Sequence, residues 1–193
     1  MKFTISKNII ENIVSSMQPF LNKKDSSAIT SHIYMEVLNT NLIIKSTDYE
    51  MGCEANVSDI KDVLDGKSTV NGSNLLNIIR RLKDEEIIFE VVDNNLNIKQ
   101  KRSNFKLPMY NADEYPDFVK LGNLKELNIN TINLINSIRK ITPSIDNNNP
   151  KFELNGALID IKSHKINFVA TDTRRLAVSN LENISNEESQ III

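Results

Sequence analysis

KSTDYEMGCEANV at residues 45–57 and FVATDTRRLAVSNLE at 168–182 decide how this chain is organised. Both contain a Thr-Asp pair, Thr47-Asp48 and Thr171-Asp172, and the separation is 124 residues (171 − 47). At the same spacing Leu42 and Ile44 fall on Ile166 and Phe168, and Ile10 and Val14 fall on Leu134 and Ile138. Phe3 and Ile5 fall on Leu127 and Ile129. A constant shift across a strand, a helix, a hairpin and a polar turn predicts one unit used twice, at domain scale. Ile-rich sequence matches itself easily, but the identical Thr-Asp pair in the same register argues against chance.

Periodicity fills in each copy. Residues 2–5 alternate and predict a strand. Ser6 stands where a helix N-cap belongs, before Ile9, Ile10, Ile13, Val14, Met17 and Phe20 at helical spacing. His32–Leu38 and Asn41–Ser46 predict a hairpin turning at Asn39-Thr40, followed by a strand over Tyr49–Val57. After the charged stretch Asp59–Lys67 come a brief strand at Thr69–Asn71 and a short helix through Leu75, Leu76, Ile78, Ile79 and Leu82. That helix ends its outer face in Arg80, Arg81 and Lys83. Three strands follow over Glu86–Val92, Leu96–Lys101 and Ser103–Leu107. Pro108 to Phe118, with Pro108 and Pro116, breaks the pattern and is the candidate boundary.

The chain then restarts. Leu127–Ile129 predicts an opening strand. Thr131 is placed to cap a helix with Ile132, Leu134, Ile135, Ile138 and Ile141. Phe152–Ile161, Lys165–Thr171 and Arg175–Leu181 predict strands, and Ser189–Ile193 begins another apolar segment. The fold class is α+β: two duplicated domains, 1–120 and 121–193, with helices packed on antiparallel sheets and the second domain incomplete. Ile5, Ile10, Val14, Leu76 and Ile79 are the expected core of the first. Regular β-α-β alternation and a Gly-rich phosphate loop are both missing, which argues against a doubly wound nucleotide-binding fold.

Composition narrows the function. The 193 residues carry 23 Lys+Arg against 25 Asp+Glu, a net charge of −2. A protein that coats nucleic acid with its whole surface is normally basic, whereas contact through one face remains compatible. The single cysteine, Cys53, rules out an intrachain disulfide framework and fits a reducing compartment. No purely apolar run exceeds three residues, the length of Ile191–Ile193, far short of a membrane span, and the first residues read as no signal peptide.

Catalytic patterns are missing from the sequence. His32 and His164 have no metal-ligand spacing around them, and neither a G-x-S-x-G nor a Walker-type segment is present. Asp113, Glu114 and Asp117 read as a solvated acidic linker, and Lys101 and Arg102 as charges beside a turn. Thr171-Asp172-Thr173-Arg174-Arg175-Leu176 is more informative. Asp172 is placed to accept from backbone N–H groups or from an arginine, leaving a second guanidinium to face outward. An ordinary polar turn is the competing reading. An enzyme at this turn would need a converging nucleophile or acid–base group, and no paired carboxylates suggest a nuclease or polymerase site. A duplicated interaction scaffold without a DNA role is the other alternative.

MKFTI at 1–5, KSTDYEMGCEANV, YPDF at 115–118, ELNGALID at 153–160 and FVATDTRRLAVSNLE together resemble the bacterial sliding clamp family, the beta subunit of DNA polymerase III. The resemblance keeps its order along the whole chain. It implies three similar domains per chain and two chains closing head to tail into a ring around duplex DNA. The implied activity is processivity without catalysis, cytoplasmic and cofactor-free, with the polymerase III alpha subunit and the clamp loader as partners and no membrane. It places Lys23, Lys24, Ser73, Arg80 and Lys151 at DNA-facing positions. Ser73 stands where the family often has arginine, and the Asn-rich loop 146–151 offers only Lys151 as a cation. It places Leu154, Thr171, Thr173, Arg174, Arg175 and Leu176 on one wall of a client-peptide pocket, with Arg174 where the family often has histidine. It places Phe105 and Leu107 at the ring interface.

Overall fold

The computed structural model describes residues 1–22, 24–25, 27–118, 127–185 and 188–193. The chain divides into two compact units, Met1–Val119 and Lys120–Ile193.

The first unit opens with β1 (Lys2–Ser6) and α1 (Lys7–Met17), which runs into a 3-10 turn at Gln18–Phe20. It continues with β2 (His32–Leu38), β3 (Asn41–Thr47), β4 (Gly52–Val57), β5 (Lys61–Leu64) and β6 (Gly66–Asn71). Helix α2 (Gly72–Arg81) precedes β7 (Glu86–Val92), β8 (Asn95–Gln100) and β9 (Ser103–Pro108). The strands form two antiparallel sheets, ordered β5-β1-β7-β8-β9 and β4-β3-β2-β6. Every third or fourth residue of α1 is apolar, so Ile10, Val14 and Met17 make one stripe, and all three are fully buried. Leu75, Leu76 and Ile79 of α2 join them, and the two helices pack on one another. Phe3, Ile5 and Phe89 complete the same core, with Phe3 stacked on Phe89 at 4.8 Å.

Three sequence expectations need correction here. Ser6 stands at the N-cap of α1, but its side chain makes no capping bond; α2 is instead capped by Asn71, which accepts from Asn74 N. The strand expected from Tyr49 starts only at Gly52, because Asp48 accepts from the N–H groups of Glu50 and Met51 and holds them in a turn. The charged stretch Asp59–Lys67 contains β5, an edge strand that pairs with β1. An edge strand needs no apolar alternation, and charge is a usual device for protecting one.

Residues 108–118 do not leave the unit as a bare connection. They lie across β2 and β3. Tyr110 stacks on His32 at 4.2 Å, and the Tyr115 hydroxyl donates to the carbonyls of His32 (3.2 Å) and Lys45 (3.4 Å). Lys67 pairs with Asp113 at 3.3 Å. His32 and Tyr34 are thereby covered on the face opposite Ile33 and Met35, which explains why β2 is buried on both sides.

The second unit contains α3 (Thr131–Ile141), β10 (Leu158–Lys162), β11 (Lys165–Thr171), β12 (Leu176–Glu182) and β13 (Ser189–Ile192). Helix α3 repeats α1 end for end at the 124-residue shift (131 − 7 and 141 − 17). The sheet order β12-β11-β10-β13 repeats β4-β3-β2-β6. Pairing repeats residue by residue: Leu42↔Val57 becomes Ile166↔Leu181, Ser46↔Cys53 becomes Ala170↔Ala177, and Met35↔Ile44 becomes Ile159↔Phe168. The last strand departs from this. Val37↔Gly66 corresponds to Ile161↔Ser189, a shift of 123 (189 − 66), so the second copy is one residue shorter before β13.

In this unit one expected strand is absent, one is shorter than expected, and the cap of α3 is Asn130, whose side chain accepts from Ile132 N and Asn133 N, with Thr131 the first residue of the helix. Residues 127–130 are not a strand. In the first unit β1 is held between β5 and β7, and the counterpart of β7 would start at residue 210 (86 + 124). Phe152–Leu154 is a 3-10 turn, and the strand expected there begins only at Leu158. The core gathers Ile141, Ala157, Ile166, Phe168 and Ala170, with Leu127, Ile129 and Leu134 against it.

Candidate functional site

The Thr-Asp turns are the same structure built twice. In the first unit Thr47 Oγ1 donates to Met51 O and accepts from Tyr49 N, while Asp48 Oδ1 accepts from Glu50 N and Met51 N. In the second, Thr171 Oγ1 donates to Arg175 O at 2.7 Å and accepts from Thr173 N at 3.1 Å. Asp172 Oδ1 accepts from Arg174 N at 3.0 Å and Arg175 N at 2.9 Å. Tyr49 and Thr173 both take left-handed backbone, with φ of 77° and 74°. For a β-branched residue such as Thr173 that conformation is costly and persists only where the surroundings enforce it. Here the four side-chain bonds to the backbone enforce it.

The second turn adds one contact that the first lacks. Arg175 Nε reaches Asp172 Oδ2 at 2.8 Å. The backbone N–H groups of Arg175 and Arg174, with the Arg175 guanidinium, hold the Asp172 carboxyl below the usual carboxylate range. Arg174 and Arg175 are exposed, and Leu176 is 66% exposed at the head of β12. A shallow depression lies beside the turn, lined by Ile145, Asp146 and Asn149 on one side and Asp172–Arg175 on the other. Leu154 is half-buried, and its carbonyl accepts from Asp146 N, which ties the 152–154 turn to that loop. Thus Thr171, Thr173, Arg174, Arg175 and Leu176 are contiguous, and Leu154 is linked to their neighbourhood through Asp146. The sequence reading missed Asp146 and Asn149 as lining residues. The only signal was an Asn-rich loop, Asp146–Asn149, in which the Asp146 carboxylate accepts from Asn148 N and Asn149 Nδ2.

The basic positions are more scattered. Lys23 lies outside the described residues. Lys24 is exposed, in a turn where Asn22 Oδ1 accepts its N–H at 3.0 Å. Ser73 is exposed in the first turn of α2. Arg80 is in the last turn, its side chain 56% exposed, with Nε 3.8 Å from Glu11 Oε1 on α1. Lys151 is exposed in the second unit, its N–H donating to Asn149 Oδ1. A cleft lined by Arg81, Lys83, Lys101 and Arg102 adds cations at the end of α2; of these, Lys101 pairs with Glu85 at 2.6 Å. Leu107 is buried in the first core and Phe105 packs against it, both on the inner face of edge strand β9. Among the described residues no group of three His, Cys, Asp or Glu side chains is arranged to hold a metal ion, and no helix is long and apolar enough to cross a membrane.

Residues 1–119 match the family model for the DNA polymerase III beta subunit, N-terminal domain, and residues 128–193 match the model for its central domain. The beta sliding clamp of Helicobacter pylori strain J99 is 41% identical over 187 residues, covering 96% of this chain and 50% of the relative. The beta sliding clamp of Escherichia coli K12 is 24% identical over 182 residues, covering 94% and 50%. The crystal structure of the Helicobacter pylori beta clamp bound to a DNA ligase peptide superposes with a TM-score of 0.91 at 39% identity, covering all of this chain and 55% of that one. The chain spans about half the length of the relatives it matches. It belongs to the DNA polymerase III beta subunit family, the beta sliding clamps.

Proposed function

We propose that residues 1–120 form the first domain, and 121–193 part of the second, of a processivity factor without catalytic chemistry of its own. In this reading copies assemble head to tail into a ring around duplex DNA, with β9 and its residues Phe105 and Leu107 at the junction. Lys23, Lys24, Ser73, Arg80 and Lys151 face the phosphate backbone, where contacts to phosphate position a protein without reading sequence. Leu154, Thr171, Thr173, Arg174, Arg175 and Leu176 form one wall of a pocket for client peptides. The polymerase III alpha subunit and the clamp loader are the principal partners. Tethering a polymerase to a topologically held ring raises its effective concentration at the primer end without new contacts to the reaction.

The observation that carries this reading is the repeat itself, conserved in strand pairing, helix ends and turn hydrogen bonds within a chain of the clamp family. The relative with a bound DNA ligase peptide supports the client pocket. The test is retention of the full-length protein on DNA after loading. It should stay on closed circular duplex and be lost when the circle is cut. Equal loss from both would leave an interaction scaffold as the better account.

A further inference from the structure

Helices α1 and α2 lie side by side, and between them they carry three cations, Lys7, Arg80 and Arg81, and one carboxylate, Glu11. Glu11 divides its two oxygens. Oε2 meets Lys7 Nζ at 2.6 Å, one turn back on α1, and Oε1 stands 3.8 Å from Arg80 Nε across on α2. The Lys7 and Glu11 side chains are largely covered, whereas the Arg80 guanidinium belongs to a side chain open to water.

The fold does not require this arrangement. In the repeat, Lys7 and Glu11 fall on Thr131 and Ile135 (131 − 124 and 135 − 124), and α3 forms over the same span without them. Nor does the pair favour α1 as a helix. Lys7 is its first residue, where a positive charge opposes the helix dipole, and Lys before Glu is the weaker order for an i,i+4 pair. Glu11 acts instead on the cations around it. Its carboxylate and a phosphate oxygen compete for the same guanidinium. For Arg80 to engage a phosphate in full it must leave Glu11, and that carboxylate then stands beside a polyanion.

We propose that Glu11 is a positioning residue that holds Arg80 back from the phosphate backbone, so that this face binds duplex DNA weakly and each contact is readily exchanged for the next. This rests on the reading that Arg80 faces DNA. Arg80 makes the phosphate contact, and Glu11 works through it.

The test uses the full-length protein and a fluorescently labelled linear duplex, with affinity followed over a series of salt concentrations. Glu11→Gln keeps the side-chain shape and a comparable helix propensity. It should bind the duplex about two- to fivefold more tightly at low salt, the scale of one exposed ion pair, and its log K should fall more steeply with log salt than that of the wild type. In an Arg80→Ala background the same change should lose most of this gain. Glu54→Gln, which removes an equal charge from β4, where Glu54 pairs with Lys45, should bind like the wild type. Unchanged or weaker binding by Glu11→Gln, while Arg80→Ala weakens binding, overturns the proposal and leaves Arg80 facing DNA. A gain that persists in full without Arg80, or that Glu54→Gln matches, assigns the effect to net charge and also overturns the proposal. If Arg80→Ala binds like the wild type, the DNA-facing reading of Arg80 falls and the proposal falls with it.

Discussion

At the scale of single residues, Asp172 and His32 carry the clearest consequences. Asp172 joins three donors that would otherwise be unrestrained, so Asp172→Ala should loosen the 171–175 turn without touching a core. The expected result is weaker client-peptide binding by the full-length protein, by several fold, with stability changed by less than about 1 kcal/mol, as is usual for exposed sites. Titration calorimetry and urea unfolding separate the two effects; unchanged affinity would show that the turn's rigidity is irrelevant to binding. His32 is 4% exposed, and its Nδ1 has no hydrogen-bond partner among the described residues. Burial pushes its pKa below the ordinary 6.5, against an opposing hydrogen bond with the Thr69 backbone. The folded state therefore favours the neutral ring, and the unfolded chain takes up the proton first as pH falls. Stability owed to His32 is complete above about 6.5 and is lost as pH drops below it. The urea midpoint of the first unit should fall between pH 7.5 and 5, by a smaller amount in His32→Asn. An identical pH slope in that variant would remove His32 from the account.

Among the elements, α1 and α3 are the same helix in different company. Ile10 is fully buried beneath α2, and Ile10→Ala should cost about 2–5 kcal/mol in chemical denaturation of the first unit. On α3, Ile132 and Ile135 occupy the positions of Asn8 and Glu11 (132 − 124 and 135 − 124), and they are 69% and 42% exposed. Nothing equivalent to α2 covers α3 among the described residues. Ile132→Ser should therefore change the stability of this 193-residue chain by no more than about 0.5 kcal/mol, and a loss above 2 kcal/mol would mean that Ile132 is packed. These comparisons also show what the sequence made legible. The apolar stripe Ile10-Val14-Met17 and the hairpin at Asn39-Thr40 follow from period and turn chemistry, so they were readable. Strand β5 was not, because an edge needs no apolar alternation. The expected strand at Leu127–Ile129 failed because alternation states a preference, while a strand also requires partners. At the site, Thr171-Asp172 and the arginines stood out by repetition, whereas Asp146 and Asn149 did not, since only the fold brings that loop to the turn.

For the whole molecule, the proposed ring depends on contacts that are weak one by one. Arg80 is already drawn toward Glu11, and the surface of α1 and α2 is mostly amide and hydroxyl: Asn8, Asn12, Ser16, Ser73, Asn74 and Asn77. Such a face releases few counterions on meeting duplex DNA. Equilibrium binding of the full-length protein to DNA should show a shallow dependence of log K on log salt, and Arg80→Ala should lower that slope by about one. No change in slope would place Arg80 away from phosphate. The two units should also differ in endurance. The amides of α1 and α2 should exchange with deuterium more slowly than those of α3 in this chain, because the first core is enclosed by two sheets and two helices.

The missing residue before β13 has a consequence for anyone recombining the two halves. Chimeras that exchange parts of one unit for the other can be cut anywhere from α1 through β12 by simple addition of 124. A splice made after residue 182 at that constant would seat the last strand one position out of step. Every side chain on it would then turn to the opposite surface of its sheet, and the hybrid would present Gln190 and Ile192 where Ser189 and Ile191 should stand.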